Sequence, residues 1–452
     1  LIGVKISGRV LIPKHWPTHR GATVFKFIHA ADIHLDSPLR GLKQYIGAPV
    51  EQIRLAARKA MENLVTAAIT ERVDFVLIAG DVYDGDWKDF QTGLFFIQQA
   101  ARLDKASIPI YLIRGNHDAG NKMTKSLRMP SNVTIFSELS PETLLLDEIG
   151  VAIHGQSYPT VSVTKDLSYN YPAAVSGRFN IGLLHTSLTG REGHENYAPC
   201  SVEALTLKGY DYWALGHIHQ REVVCESPVI AFSGNVQGRH IKETGAKGCY
   251  LVSVDDSHRP AMQFLPLDVL RWEVATIDLT DATAERDVLH RIVAQFRDIM
   301  QSADGRCTAV RVRLIGNTSL HSDFASRAEH WVNEIRGVAI QESNSQMWIE
   351  KVKFDTHEHR LEQIDIADSE SAIGELEQLV QSIRDNPTLL TELGFDLSDL
   401  QKKLPGEVRE SLNLEDKESI SEILNEAHAY LLGHLSLSPS SERRSSSLED
   451  DS

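Results

Sequence analysis

Five apolar segments in the first half of the chain end in acidic, amide or imidazole side chains, and this ordered series limits the fold more than any other feature. FKFIHAAD closes at Asp32, with His34 two residues on; DFVLIAGD closes at Asp81. PIYLIRGNHD ends in Asn116, His117 and Asp118, NIGLLHT carries His185, and DYWALGHIH ends in His217 and His219. Apolar runs of this length read as buried strands. Helical patterns separate the first three: Gln52–Glu71 keeps Ile53, Ala56, Ala60, Leu64 and Ala67 near one face, and Gln91–Leu103 does so with Leu94, Phe95, Ile97 and Ala101. Strand, helix, strand at this spacing predicts βαβ units, whose strands place their carboxyl ends on one edge, the edge where α/β sheets bind ligands. VAIHG (151–155), PVIAFSGN (228–235) and GCYLVSV (248–254) read as further strands with shorter connections, so a mixed or antiparallel sheet is expected there.

The polar groups have a chemistry in common. Asp32-x-His34 puts two donors on one face of an extended segment, because side chains alternate, and His217-x-His219 does the same with two imidazoles. A single His on an apolar strand, such as His154 or His185, is ordinarily a satisfied core residue. The order DxH, GDxxD, GNHD, strand-end His, GHxH is what carries the reading. Carboxylate, imidazole and amide donors together suit Mn²⁺, Fe²⁺ or Zn²⁺ better than Ca²⁺ or a cysteine-type zinc. Eight such groups are too many for one ion and suit two ions sharing a carboxylate, a device that clamps the attacking and leaving oxygens of an in-line displacement. Two divalent ions against Asp32 and Asp81 leave the site near +2, which favours a phosphate substrate.

The global charge of −16 at first argues against nucleic acid, but its distribution removes that argument. From Thr356 onward there are 22 acidic and 8 basic side chains, net −14, and the preceding body is near neutral at −2. Residues 1–24 carry little pattern and are expected to lie outside the fold, with Val24 as the expected native start, read from a GTG codon. Lys5 and Arg9 interrupt their apolar stretch, so a signal peptide is not expected. Residues 25–267 form the first expected domain. Residues 268–355 form a second, small α+β unit: strands RWEVATIDL, TAVRVRLIG and MWIEKVKFD, with helices over Ala284–Met300 and Asp323–Arg336. Residues 356–435 are acidic and helical, with helices expected at Ser371–Arg384 and Ser419–Leu432, and 436–452 read as a disordered tail. No apolar run reaches membrane-spanning length. Four cysteines without a CxxC pair point to a reducing, cytoplasmic setting.

The five motifs, with HAADIHLDSPL (His29–Leu39), GHENYAPCS (Gly193–Ser201), GHIHQREV (Gly216–Val223) and SGNVQGRHIKETGAKG (Ser233–Gly248), resemble the calcineurin-like metallophosphoesterases. Within them the chain is most similar to the SbcD-type DNA repair exonucleases, in a YhaO-like branch. The resemblance implies an α/β fold: a metallophosphoesterase β-sandwich flanked by helices, plus a small α+β capping domain and C-terminal helices. It implies two divalent metal ions, Mn²⁺ foremost. Asp32, His34 and His219 would hold one, Asn116, His185 and His217 the other, and Asp81 would bridge. His117 would give the leaving oxygen its proton, Asp118 would orient the loop, and a metal-bound water would attack. DNA, an SMC-like ATPase docked on 356–435 and a second copy of the chain are the implied partners. Arg40, Arg191, His194, Arg239, His240, Lys242 and Lys247 lie near motif loops and could meet phosphates, or be solvated loop charges. Where SbcD-type chains read Asp-Trp-His-Leu-Gly, this one reads Asp32-Ile33-His34-Leu35-Asp36. Asp84 stands where some relatives carry His, and Ser233-Gly234-Asn235 replaces Pro-Gly-Ser.

The implied activity is hydrolysis of DNA ends, by exonuclease and also endonuclease action. The competing readings are a phosphoesterase for nucleotides or other small phosphodiesters, and a scaffold with a vestigial site.

Overall fold

The computed structural model describes residues 23–37, 50–84, 90–120, 128–189, 197–358 and 372–386, with the isolated residues 389, 424, 427–428 and 431. It divides into two compact units, the first running through Arg271 and the second starting at Trp272.

The first unit is a sandwich of two six-stranded sheets. One sheet contains β1 (Thr23–Ala30), β2 (Phe75–Ala79), β3 (Ile110–Ile113), β4 (Val133–Ile135), β11 (Gly248–Asp255) and β12 (Pro260–Pro266), in the order β12-β11-β1-β2-β3-β4. The other contains β5 (Glu142–Leu146), β6 (Val151–Gly155), β7 (Phe179–His185), β8 (Tyr212–Gly216), β9 (Glu222–Glu226) and β10 (Val229–Phe232), in the order β5-β6-β7-β8-β10-β9. β1 through β4 run parallel, as do β6, β7, β8 and β10; antiparallel strands sit at the flanks of both sheets.

The central strands are apolar at every position because both faces are covered. Phe25 and Phe27 of β1, Phe75 and Leu77 of β2, and Tyr111 and Ile113 of β3 point at the second sheet, meeting Phe179, Ile181, Leu183, Tyr212 and Ala214. The alternate residues Ile28, Val76, Ile78, Ile110 and Leu112 meet α1 (Val50–Glu71) and α2 (Phe90–Lys105). α1 presents Ala60, Met61, Leu64 and Ala68 to that layer, the 3.6-residue stripe of an amphipathic helix. On the outer side of the second sheet, Trp213, Leu215, Ile230 and Phe232 are covered by the short helix α4 (Val202–Thr206) and by long loops carrying Tyr158, Leu167 and Tyr171. Tyr158 and Tyr171 donate to the carbonyls of His185 and Leu183, so the loops pin β7 at its carboxyl end.

The second unit holds β13 (Leu270–Asp278), α5 (Glu285–Ala303), β14 (Cys307–Thr318), α6 (His321–Ser326), α7 (Ala328–Ser343) and β15 (Met347–Glu358), with a three-stranded sheet in the order β13-β14-β15. Val288, Ile292 and Phe296 of α5 and Trp331, Ile335 and Ala339 of α7 bury one face of the sheet. The single helix expected over Asp323–Arg336 is two. Arg327 leaves the helical region at φ −119°, ψ 31°, and Asp323 captures both the Arg327 guanidinium and the Trp331 Nε1–H at the break. α8 (Ala372–Asp385) follows. The helix expected at Ser419–Leu432 and the tail fall almost wholly outside the described residues. No helix among the described residues is long and apolar enough to cross a membrane.

Candidate metal centre

Each expected ligand follows the carboxyl end of a parallel strand, and the two sheets bring those ends together. After β1 the chain runs beside the segment after β2: Asp32, His34 and Leu35 donate backbone N–H groups to Gly80, Asp81 and Val82. β3 leads into the short helix α3 (Asn116–Ala119), where the His117 N–H donates to Asp81 Oδ1 at 2.9 Å. From the second sheet, His185 ends β7, and the His217 N–H donates to the Asp32 carboxylate at 3.0 Å. The backbone is bent sharply to achieve this. Asp32, His34, Asp81 and His217 all have left-handed φ, between 47° and 98°, a conformation that costs a non-glycine residue about 1 kcal/mol. Gly115 admits no side chain, since a Cβ there would collide with the Asp81 carboxylate.

Three groups of side chains converge: Asp32, His34 and His219; Asp32, Asp81 and His185; and His34, Asp81 and His117, each with its ligand atoms within 4.8 Å of one another. Asn116 Oδ1 lies 3.0 Å from His185 Nε2, and the His217 ring stands edge-on to His185 with centroids 5.2 Å apart. All seven expected ligands therefore gather in one place.

Hydrogen bonding fixes which nitrogens face inward. His185 Nδ1 lies 2.8 Å from the Ala79 carbonyl, an acceptor only, so Nδ1 carries a proton and Nε2 is the nitrogen turned into the cluster. Its Nε2 lies 3.4 Å from the Asp81 carboxylate, and although burial works against it, the Asp81 charge raises this imidazole to about 9. His219 Nδ1 donates to Glu243 Oε1 at 2.7 Å, which turns its Nε2 toward His34 Nε2, 3.1 Å away. Buried carboxylates ringed by inward-turned imidazole nitrogens make a cluster that a divalent cation would satisfy. The donor set fits such an ion. Burial drives the His34 imidazole down toward its neutral, ligating form. Burial also opposes charge on Asp81, but His185 and the neighbouring imidazoles outweigh it and hold that carboxyl ionised.

His117 stands apart from this arrangement. Its side chain is 37% exposed, and Nδ1 bonds Asp84 Oδ1 at 2.8 Å. That bond, against the effect of burial, raises the imidazole above its ordinary value. Asp84 also takes the Ser37 hydroxyl and lies 3.5 Å from His34 Nδ1. Asp118 is buried, and its carboxylate accepts from Val82, Tyr83 and Gly115 N–H groups, which fastens the loop after β2 to the loop after β3. Burial, then the nearby Asp81 charge, pushes its carboxyl up.

An open cleft of about 530 Å³ lies over these groups, lined in part by His117, His217, His219, Arg239, His240, Lys242 and Lys247. Arg239 reaches Asp84 and Glu243, and Lys247 donates to the His219 carbonyl. Arg40, Arg191 and His194 lie outside the described residues. Asp84 and Glu243 are the functional carboxylates that strand-end reasoning misses, because each acts through the far nitrogen of an imidazole. The signals available were the second Asp of GDxxD and a lone Glu in a glycine-bounded loop. Asp36 also gains a role. It sits at φ 57°, where glycine is the usual solution, and its carboxylate binds the Arg58 guanidinium on α1 and the Thr92 hydroxyl on α2.

Residues 25–221 match the family described as calcineurin-like phosphoesterase, and residues 272–357 match the middle domain of the metallophosphoesterase YhaO. The chain is 36% identical over 297 residues to the uncharacterized metallophosphoesterase YhaO of Bacillus subtilis (strain 168), across 65% of this chain and 72% of that protein. It is 27% identical over 277 residues to the DNA double-strand break repair protein Mre11 of Sulfurisphaera tokodaii, across 58% and 67%. Against a protein of the SbcCD nuclease of Escherichia coli (strain K12) it is 21% identical over 324 residues, across 61% and 75%. Clustered strand-end carboxylates and imidazoles and these likenesses agree: the chain belongs to the calcineurin-like metallophosphoesterases, a family of metal-dependent hydrolases, and carries a YhaO-type middle domain.

Proposed function

We propose that the protein hydrolyses phosphodiester bonds at DNA ends as an exonuclease, with endonuclease action on the same site, using two Mn²⁺ ions. The carrying observation is the convergence of His34, His185 and His219 ring nitrogens on the Asp32 and Asp81 carboxylates, in groups whose ligand atoms lie within 4.8 Å of one another. Asp32, His34 and His219 would hold one ion, Asn116, His185 and His217 the other, and Asp81 both. Bound there, the ions polarise the phosphoryl oxygens and activate the attacking water.

The chain's own residues then complete the reaction. The His117 N–H binds Asp81 and so fixes the imidazole beside the site, while Asp84 keeps Nδ1 bonded and leaves Nε2 to carry a proton to the leaving oxygen. Asp118 sets the loop that carries His117. His240, 52% exposed, and Lys242 line the cleft and would meet backbone phosphates. Two divalent ions, with Arg239 and Lys247, against Asp32, Asp81, Asp84 and Glu243, give a local sum near +2. A polyanion is therefore drawn to a site set in a near-neutral body.

DNA is favoured over small phosphodiesters by the Mre11 and SbcCD likenesses and by the extra unit beyond the sandwich. The same relatives support a repair role and an assembly of several chains. We place an SMC-like ATPase on the acidic segment 356–435, of which α8 is described, and a second copy of the chain in the complex. Four free cysteines support a cytoplasmic location. The test is Mn²⁺-dependent digestion of linear DNA, covalently closed DNA and nucleotides by the purified chain, with and without co-purified ATPase. Digestion of linear DNA is expected, with slower cutting of the closed form by the endonuclease action; turnover of nucleotides alone would overturn the reading.

A further inference from the structure

Arg239 has contacts that the scheme above leaves unused. Its Nη1 lies 3.4 Å from Asp84 Oδ2, its Nη2 lies 3.2 Å from Glu243 Oε1, and its backbone N–H donates to Glu243 Oε2 at 2.7 Å. Each carboxylate has a second partner. Asp84 Oδ1 holds His117 Nδ1 at 2.8 Å, and Glu243 Oε1 holds His219 Nδ1 at 2.7 Å. One guanidinium thus spans the two carboxylates that aim the two imidazoles, one beside the leaving oxygen and one on the metal side.

The physical need is clear. Asp84 and Glu243 are only 12% and 7% exposed, and both must stay ionised to hold their imidazoles. Two anions in one wall of a cleft repel, and the planar fork of a guanidinium can meet both with separate nitrogens, as the point charge of a lysine cannot. Arg239 is also poorly placed to grip substrate. Its side chain is 18% exposed and its Nε is enclosed, whereas neighbouring His240 stands 52% open.

We propose that Arg239 is a positioning residue that holds Asp84 and Glu243 in register, with His117 aimed through Asp84 and His219 through both Glu243 and the 3.3 Å contact of Arg239 Nη2 with its Nδ1, and that it is not a phosphate-gripping arm. The proposal rests on the functional reading above.

The test uses the full chain with Arg239→Met and Arg239→Lys. Steady-state kinetics on bis(p-nitrophenyl) phosphate are paired with calorimetric Mn²⁺ titration of the resting protein and with thermal melts. Arg239→Met should lower kcat about 10-fold and weaken Mn²⁺ binding about 10-fold, the usual cost of losing a residue that orients a metal-site group, with KM changed less than about twofold. Arg239→Lys keeps the charge and should still show the loss in kcat, because one ammonium cannot span both carboxylates; this variant decides the matter if the Met chain does not fold. A rise in KM with kcat and Mn²⁺ affinity intact would overturn the proposal in favour of a substrate arm. No change in any of the three would overturn it as well. A wild-type chain inactive on every diester would sink the functional reading, while the Mn²⁺ affinities would still decide the brace.

Discussion

The two units handle polar side chains in opposite ways. In the second unit, donors meet acceptors: Arg311 grips Glu350 with two bonds of 2.7 Å, Arg313 meets Asp355 at 2.7 Å, and the Trp331 Nε1–H reaches Asp323 at 2.8 Å. Its left-handed residues include Asp304 and Asn344, which end α5 and α7, where short polar residues commonly stop a helix. In the first unit, left-handed backbone falls on His34 and His217, imidazoles that end no helix, and buried carboxylates stand among clustered ring nitrogens. Ion pairs of the first kind stabilise the fold, whereas clustered carboxylates and imidazoles on a strained backbone are suited to binding a cation. The contrast locates function by its electrostatic debt, without appeal to shape.

Asp81→Asn attacks that contrast at its centre and should have the largest effect. It keeps the shape and removes the charge shared by His34, His185 and the His117 N–H. Loss of several kcal/mol of charge stabilisation corresponds to a fall in turnover on the order of 10³-fold. Metal analysis should find both ions depleted; one fully occupied site would refute the bridge. His117→Ala comes next, with turnover down about 10²-fold, as for a lost general acid. Two bound ions should remain, and loss of one would make His117 a ligand. Asp84→Asn is milder, about 10-fold, and it has a pH signature. Asp84 raises His117, so the protonated acid persists to higher pH in the wild type. Removing Asp84 lets the value fall, and the alkaline limb of the rate profile should move to lower pH. A limb that stays in place would break the Asp84–His117 link.

The sequence made the ligand-bearing strands legible because β1, β2, β3, β7 and β8 are buried on both faces and read as unbroken apolar runs ending in polar groups. β4, β5 and β12 escaped notice. They lie at sheet edges, where partial exposure, as in Glu142 and Thr143 of β5, dilutes any pattern. The eight polar groups could be named from their strand ends, and the resemblance implied which seven of them would hold metal. Their tautomers could not, because those are set by Ala79 and Glu243, which are 106 and 24 positions from the imidazoles they bind. Asp36 shows the same limit. It reads as a departure from glycine until its left-handed backbone and its bonds to Arg58 and Thr92 are seen.

Glu350→Gln is the smallest expected effect on turnover and the sharpest control. Glu350 is 4% exposed and its partner Arg311 24%, so the pair is well shielded but not sealed. The amide oxygen can still accept one guanidinium N–H, while the second bond is lost and Arg311 keeps its charge. Breaking a sealed pair costs about 3–5 kcal/mol, and water reaching Arg311 should reduce that to about 1–2 kcal/mol, read as a lower denaturant midpoint. Turnover and Mn²⁺ content should not change, since the Glu350–Arg311 pair is complete in itself and supplies no metal ligand. If Glu350→Gln instead lowered metal content or slowed hydrolysis more than about twofold, charge pairing in the second unit would be tied to the metal centre, and the separation of stabilising pairs from catalytic ones would fail.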